Sequence, residues 1–146
     1  MKKFEFTGEF IVYFGKKLFR IKSLIDFGDV KRGEVGGFVE KEENLSQDGD
    51  AWVYGNARVC DNALVCGSAW VCVDADYACV KGFGRECRNT TFFRTKDGGV
   101  SVVCGCFHGT MQEFREKVKE THGESKMAKE YLMIADLMKM HFDNEA

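Results

Sequence analysis

The side chains best suited to chemistry cluster in the last third of the chain. Cys104, Cys106 and His108 stand at alternate positions. In one extended strand, residues two apart share a face, so both thiols and the imidazole could meet one ion. Zinc takes four ligands, and the nearest further thiol in sequence is Cys87. The resulting set, Cys87/Cys104/Cys106/His108, matches no standard finger spacing. The plainer reading is small strand residues followed by a loop histidine, and it sets the expectation of no metal and no cofactor. A thiol nucleophile with His108 as base is weaker still, because no orienting carboxylate stands at a useful spacing. A second group is cationic and aromatic: Arg85, Arg88, Phe92, Phe93, Arg94 and Lys96. Guanidinium and ammonium groups can hold phosphates while an aromatic ring stacks a base.

The rest of the composition narrows what those residues can serve. The net charge is −2 over 146 residues, so no basic excess drives generic nucleic-acid coating. No apolar run approaches the roughly 20 residues that span a bilayer, and Phe4-Glu5-Phe6 after Lys2-Lys3 is no signal-peptide core. The expectation is a cytoplasmic protein without membrane contact. Seven cysteines, an odd count, read as reduced thiols. Sixteen glycines and no proline mean that Gly, Asn and Asp must make the turns.

A six-residue repeat organises the middle of the chain. Alanine recurs at 51, 57, 63, 69 and 75, and valine at 53, 59, 65 and 71, with Gly, Asp or Asn usually closing each unit. An aliphatic residue followed four positions later by a small one resembles the hexapeptide-repeat family. That resemblance implies a left-handed parallel β-helix with three short strands per coil, so that residues 18 apart stack about 4.8 Å from one another. Trp52 would lie over Trp70, Val53 over Val71, Tyr54 over Cys72, Asn56 over Asp74 and Arg58 over Asp76. The valines would face inward, and Trp52, Arg58, Leu64 and Trp70 outward. Cys60, Cys66 and Cys72 would fall on three different faces as small packing residues. Residues 45–80 suffice for about two coils, and the family's common trimeric state carries over as an expectation.

The flanks complete the expected architecture. Phe4–Phe6, Phe10–Phe14 and Leu18–Ile25 read as strands, the latter two forming a hairpin about Gly15-Lys16-Lys17. The glycine-rich stretch from Phe27 to Gly37 lacks the lysine-serine/threonine ending of a phosphate loop and reads as a compact loop. Asn89–Arg94 and Val100–Cys106 flank Asp97-Gly98, a hairpin signal. Thr110 and Glu113 form a capping box for a helix that Gly123 ends. A second helix spans about Lys126 to Phe142, with Met127, Tyr131, Ile134, Met138 and His141 on one stripe. That stripe serves either packing or the docking of a partner or protomer. The expected fold is mainly β with C-terminal helices. An N-terminal β-hairpin cap occupies 1–37, a short left-handed parallel β-helix 38–80, and a hairpin with two α-helices 81–146.

With residues 1–80 the chain is similar to small hexapeptide-repeat proteins common in phages and prophages. The resemblance brings almost no biochemistry with it; what remains is the expectation of a non-catalytic, self-associating protein that blocks or sequesters a partner, a host defence component being the natural candidate for a phage-type protein. The expected working surface comprises Trp52, Trp70, Tyr54 and Leu64, together with Arg85, Arg88, Phe92, Phe93 and Arg94. Two alternatives stand beside it: a nucleotide-sequestering protein and a small-molecule acyltransferase of the hexapeptide-repeat class. Related acyltransferases and carbonic anhydrases place histidines in or near the coils. His108, His122 and His141 all lie outside 45–80.

Overall fold

A computed structural model describes residues 2–143. Met1 and residues 144–146, which end the expected first and third segments, lie outside the described residues. Ten strands and two helices follow in order. The N-terminal half holds β1 (Phe4–Tyr13), β2 (Lys16–Ser23), β3 (Val35–Val39), β4 (Trp52–Val53), β5 (Arg58–Val59) and β6 (Trp70–Val71). The C-terminal half holds β7 (Tyr77–Phe83), β8 (Arg88–Arg94), β9 (Val100–Cys104), β10 (Phe107–Thr110), α1 (Met111–His122) and α2 (Lys126–Phe142).

These strands make a mixed sheet β1-β2-β3-β5, an antiparallel sheet β10-β9-β8-β7 and a parallel pair β4-β6. The expected left-handed parallel β-helix is therefore incorrect: the chain is mainly β, but its pairings are largely antiparallel. Among the described residues, parallel pairing is confined to β3 with β5, β4 with β6, and a bridge between Leu45 and Val65. The physical reason is rung length. Rungs β4, β5 and β6 are two residues each, so most of the sheet pairing comes from the longer flanking strands, which meet one another antiparallel: β1 with β2, β2 with β3, and β7 through β10.

The repeat nevertheless sets the local geometry. Gly49, Gly55, Asp61 and Gly67 stand six apart and all take the left-handed conformation, with φ of 73°, 57°, 59° and 64°. These are the corners, and only Asp61 adopts this conformation with a side chain. Trp52 pairs with Trp70 and Val53 with Val71, as the repeat predicts. Val53, Val59, Val65 and Val71 are buried. Arg58 departs from its expected partner: its backbone N–H and its guanidinium both bind Asp74, at 2.8 and 2.9 Å, while Asp76 binds Arg94 at 2.9 Å.

Trp52 does not face outward; it is fully buried. The N-terminal sheet covers the coil on that side, with Phe4 and Phe27 meeting the indole edge-on at 6.3 and 5.3 Å between ring centroids. Its indole N–H finds no hydrogen-bond partner among the described residues. Gly36 makes this closure possible. A Cβ there would lie 2.8 Å from Trp52 Cζ2 and 2.6 Å from the Val53 carbonyl. At Gly37 it would lie 2.6 Å from the Ala57 carbonyl. The glycine-rich stretch thus serves close approach of β3 to the coil.

The hairpin and helix signals hold. The Asp97-Gly98 turn joins β8 to β9, and Gly98 has a φ of 87°. The Thr110 N–H donates to Glu113 Oε1 and the Glu113 N–H to Thr110 Oγ1. Ser125 caps α2. Strand β10 departs from expectation, and β7 overlaps the last expected coil unit at 75–80 but runs on to Phe83 and pairs antiparallel with β8. The Cys104–His108 run is not one strand but two, broken by the Gly105-Cys106 turn. No helix among the described residues is long and apolar enough to cross a membrane.

Candidate functional site

Two turns and two helices converge on a cleft of about 330 Å³. The β7–β8 turn brings Phe83, Gly84, Arg85, Glu86 and Arg88; the β9–β10 turn brings Cys106, between Cys104 and Phe107. Helix α1 contributes Phe114, Lys117 and His122, and α2 contributes Tyr131. The floor is aromatic. Phe114 meets Phe107 and Tyr131 at 5.9 and 5.8 Å between centroids, and His122 stacks on Tyr131 at 5.8 Å.

Tyr131 is fixed by its hydroxyl, which donates to the Phe83 carbonyl at 2.9 Å. Gly84 permits this, since a Cβ there would run into that hydroxyl. Burial, and then proximity to Cys104, push the Tyr131 phenol up to about 12. It therefore stays neutral at physiological pH. Arg85, Arg88 and Lys117 line the rim against a single carboxylate, Glu86, giving a locally cationic mouth on a chain of net charge −2. The Arg88 guanidinium is held by Glu86, with Nε at 2.7 Å. That hydrogen bond raises the Arg88 pKa. It packs against the backbone at Gly105, where a Cβ would collide with it.

The residues singled out from sequence fall into separate groups. Arg85, Arg88, Cys104 and Cys106 line the cleft. Phe92 and Phe93 are fully buried, so neither can serve as an exposed working surface. Arg94 is engaged by Asp76 and lies over the Phe142 ring at 5.4 Å. Lys96 pairs with Asp29 at 2.7 Å. Of the expected aromatic face, Tyr54 stacks on Trp70 at 5.2 Å and Leu64 is exposed, while Trp52 is absent from the surface.

The set Cys87/Cys104/Cys106/His108 is not assembled. Among the described residues, no group of three or more His, Cys, Asp or Glu side chains is placed to hold a metal. The Gly105-Cys106 turn separates the positions, and His108 Nε2 lies 3.9 Å from Cys66 Sγ on the coil. Cys104 Sγ instead accepts from the Thr90 hydroxyl at 3.1 Å.

Sequence reasoning missed Phe83, Phe107, Lys117 and His122 as cleft residues, placed Phe114 on a helix face and read Tyr131 as part of a packing or docking stripe. The available signal was Lys117 beside the Phe114/Val118 stripe of α1. No protein-family model and no curated protein matches the chain.

Proposed function

We propose that the chain is a non-catalytic binding protein that captures a nucleotide-type ligand, a planar ring carrying phosphate, in this cleft. The observation that carries the reading is the pairing of the half-buried rings of Phe83, Phe107 and His122, backed by the buried Phe114 and Tyr131, with a rim of Arg85, Arg88 and Lys117. Stacking on aromatic side chains contributes about 1–3 kcal/mol per base, and hydrogen bonds to charged groups about 1.5–3 kcal/mol each. Of the cleft's side chains, Cys104 accepts from the Thr90 hydroxyl and His122 stacks on Tyr131, while Cys106 is exposed.

The test is a thermal-shift and calorimetric screen against nucleotides, with acetyl-CoA in parallel. Stabilisation by a nucleotide, lost in the double variant Arg85→Ala with Arg88→Ala, supports the reading. Silence from every nucleotide overturns it, and stabilisation by acetyl-CoA alone favours an acyl-transfer role. A second reading, capture of a partner protein, is favoured by α2. Its outer side exposes Met133, Leu137 and Met140, at helical spacing, by 70, 52 and 70%. Leu137→Glu abolishes partner pull-down if that reading is correct.

A further inference from the structure

We propose that Cys66 is a site of covalent modification by exchange with a low-molecular-weight disulfide, with His108 as its base. The two residues stand 42 positions apart in the chain, one on the coil and one on β10, and the fold sets Cys66 Sγ 3.9 Å from His108 Nε2. A thiol within hydrogen-bond reach of an imidazole is the arrangement of a nucleophile and its base. Cys66 is half-buried and His108 exposed, so the pair opens to solvent.

The seam between coil and meander is shaped to hold the ring there. On the meander side His108 pairs with Val103 across β9 and β10, and its ring lies 6.4 Å from that of Phe93. On the coil side stands the left-handed corner at Gly67. A Cβ there would lie 3.1 Å from His108 Cε1 and crowd the imidazole off the thiol.

The charges around the pair favour proton transfer. Burial pushes the Cys66 thiol up, and the Lys3 ammonium opposes that rise. The thiol rests protonated at neutral pH and therefore needs a base to react. Hydrogen bonds from Thr110, and then the field of His108, hold the Glu113 carboxyl below its usual range. The ionised carboxylate in turn stabilises the imidazolium that forms when the thiol gives up its proton.

The exchange balances without a further reactant. Cys66 Sγ passes its proton to His108 Nε2 and attacks one sulfur of the small disulfide. The old S–S bond breaks as the new one forms, and the imidazolium returns the proton to the departing thiolate. Cys66 is oxidised to a mixed disulfide, and half of the small disulfide is reduced to a thiol.

The repeat supplies an internal control. Cys60 stands six positions earlier in the same column and is also half-buried. Its thiol faces the Asp61 carboxylate at 3.8 Å and the Tyr77 hydroxyl at 3.9 Å, not an imidazole.

The test treats the reduced full chain with oxidised glutathione and follows the adduct on each cysteine by peptide mass mapping over time. Cys66 should be modified at least about tenfold faster than Cys60. His108→Gln should abolish that advantage while the rates at the other cysteines stay unchanged, which also certifies that the variant is folded. A Cys66 rate no greater than that of Cys60 overturns the proposal, and this comparison needs no variant. So does an advantage that His108→Gln leaves intact.

Discussion

Phe92 and Phe93 are consecutive in β8 and both fully buried, yet they belong to different cores. Side chains alternate across a strand. Phe92 therefore meets Phe114 edge-on at 5.8 Å within the helical cluster. Phe93 packs with the coil residues and lies 6.4 Å from the His108 ring. Truncating either to alanine is expected to cost about 3–5 kcal/mol in urea unfolding. The two variants should separate in function. Phe92→Ala undermines Phe114 and should weaken nucleotide binding, whereas Phe93→Ala should leave affinity unchanged in the folded fraction.

Glu86 competes with any incoming anion for Arg88. Glu86→Gln removes the competing charge and should tighten phosphate-bearing ligands several-fold, by about 1 kcal/mol. Calorimetric titration at low and high salt checks this, since the gain should shrink as salt rises. An unchanged affinity would place the phosphate away from Arg88.

Gly36→Ala should destabilise the fold by about 2 kcal/mol or more, because the added carbon meets the Val53 carbonyl and the Trp52 ring. Neither neighbour is the free end of a flexible chain. Ligand affinity should be unaffected, since the residue lies outside the cleft lining. A loss of phosphate binding without loss of stability would return the glycine-rich stretch to a cradle role.

The alkaline stability profile should report two groups with opposite signs. Lys3 is buried, its ammonium donating to the Ala51 carbonyl at 2.7 Å, and burial lowers its pKa from 10.5 to about 8. Between those values the unfolded chain binds the extra proton, so this group's contribution to stability rises with pH. Comparison with Lys3→Met isolates that rise. Tyr131 acts in reverse. Its pKa is raised from 10.0 to about 12, so the unfolded chain ionises first and stability falls across that interval. Tyr131→Phe should reduce the fall, measured by urea titration at successive pH values.

Much of the local structure was legible in the sequence because its causes are local. The Asp97-Gly98 turn, the Thr110/Glu113 capping box and the helix ending at Gly123 each rest on residues within a few positions. The six-residue spacing of left-handed corners and the Trp52/Trp70 register also follow from the repeat. The direction of Trp52 did not, because it depends on Phe4 and Phe27 arriving from elsewhere in the chain. The same holds for the cleft, where Tyr131 reaches across 48 positions to bond Phe83. Arg85 and Arg88 were recognisable as anion holders, but their aromatic floor belongs to other elements. The error over the β-helix arose because a repeat specifies corners and inward residues without fixing how long each rung runs.

The sheet connections also bear on how quickly the protein reaches its native state. The β7–β10 meander closes by successive hairpins, and the parallel rungs join residues 18 or 20 apart. Each closure forfeits little chain entropy, because that loss grows only logarithmically with loop length. The hairpin meander thus supplies the local contacts that favour fast folding, while the parallel rungs and the bonds across 48 positions form its slower, non-local part. The order of the chain also allows the coil and its N-terminal cover to consolidate during synthesis, before the helical layer has been translated.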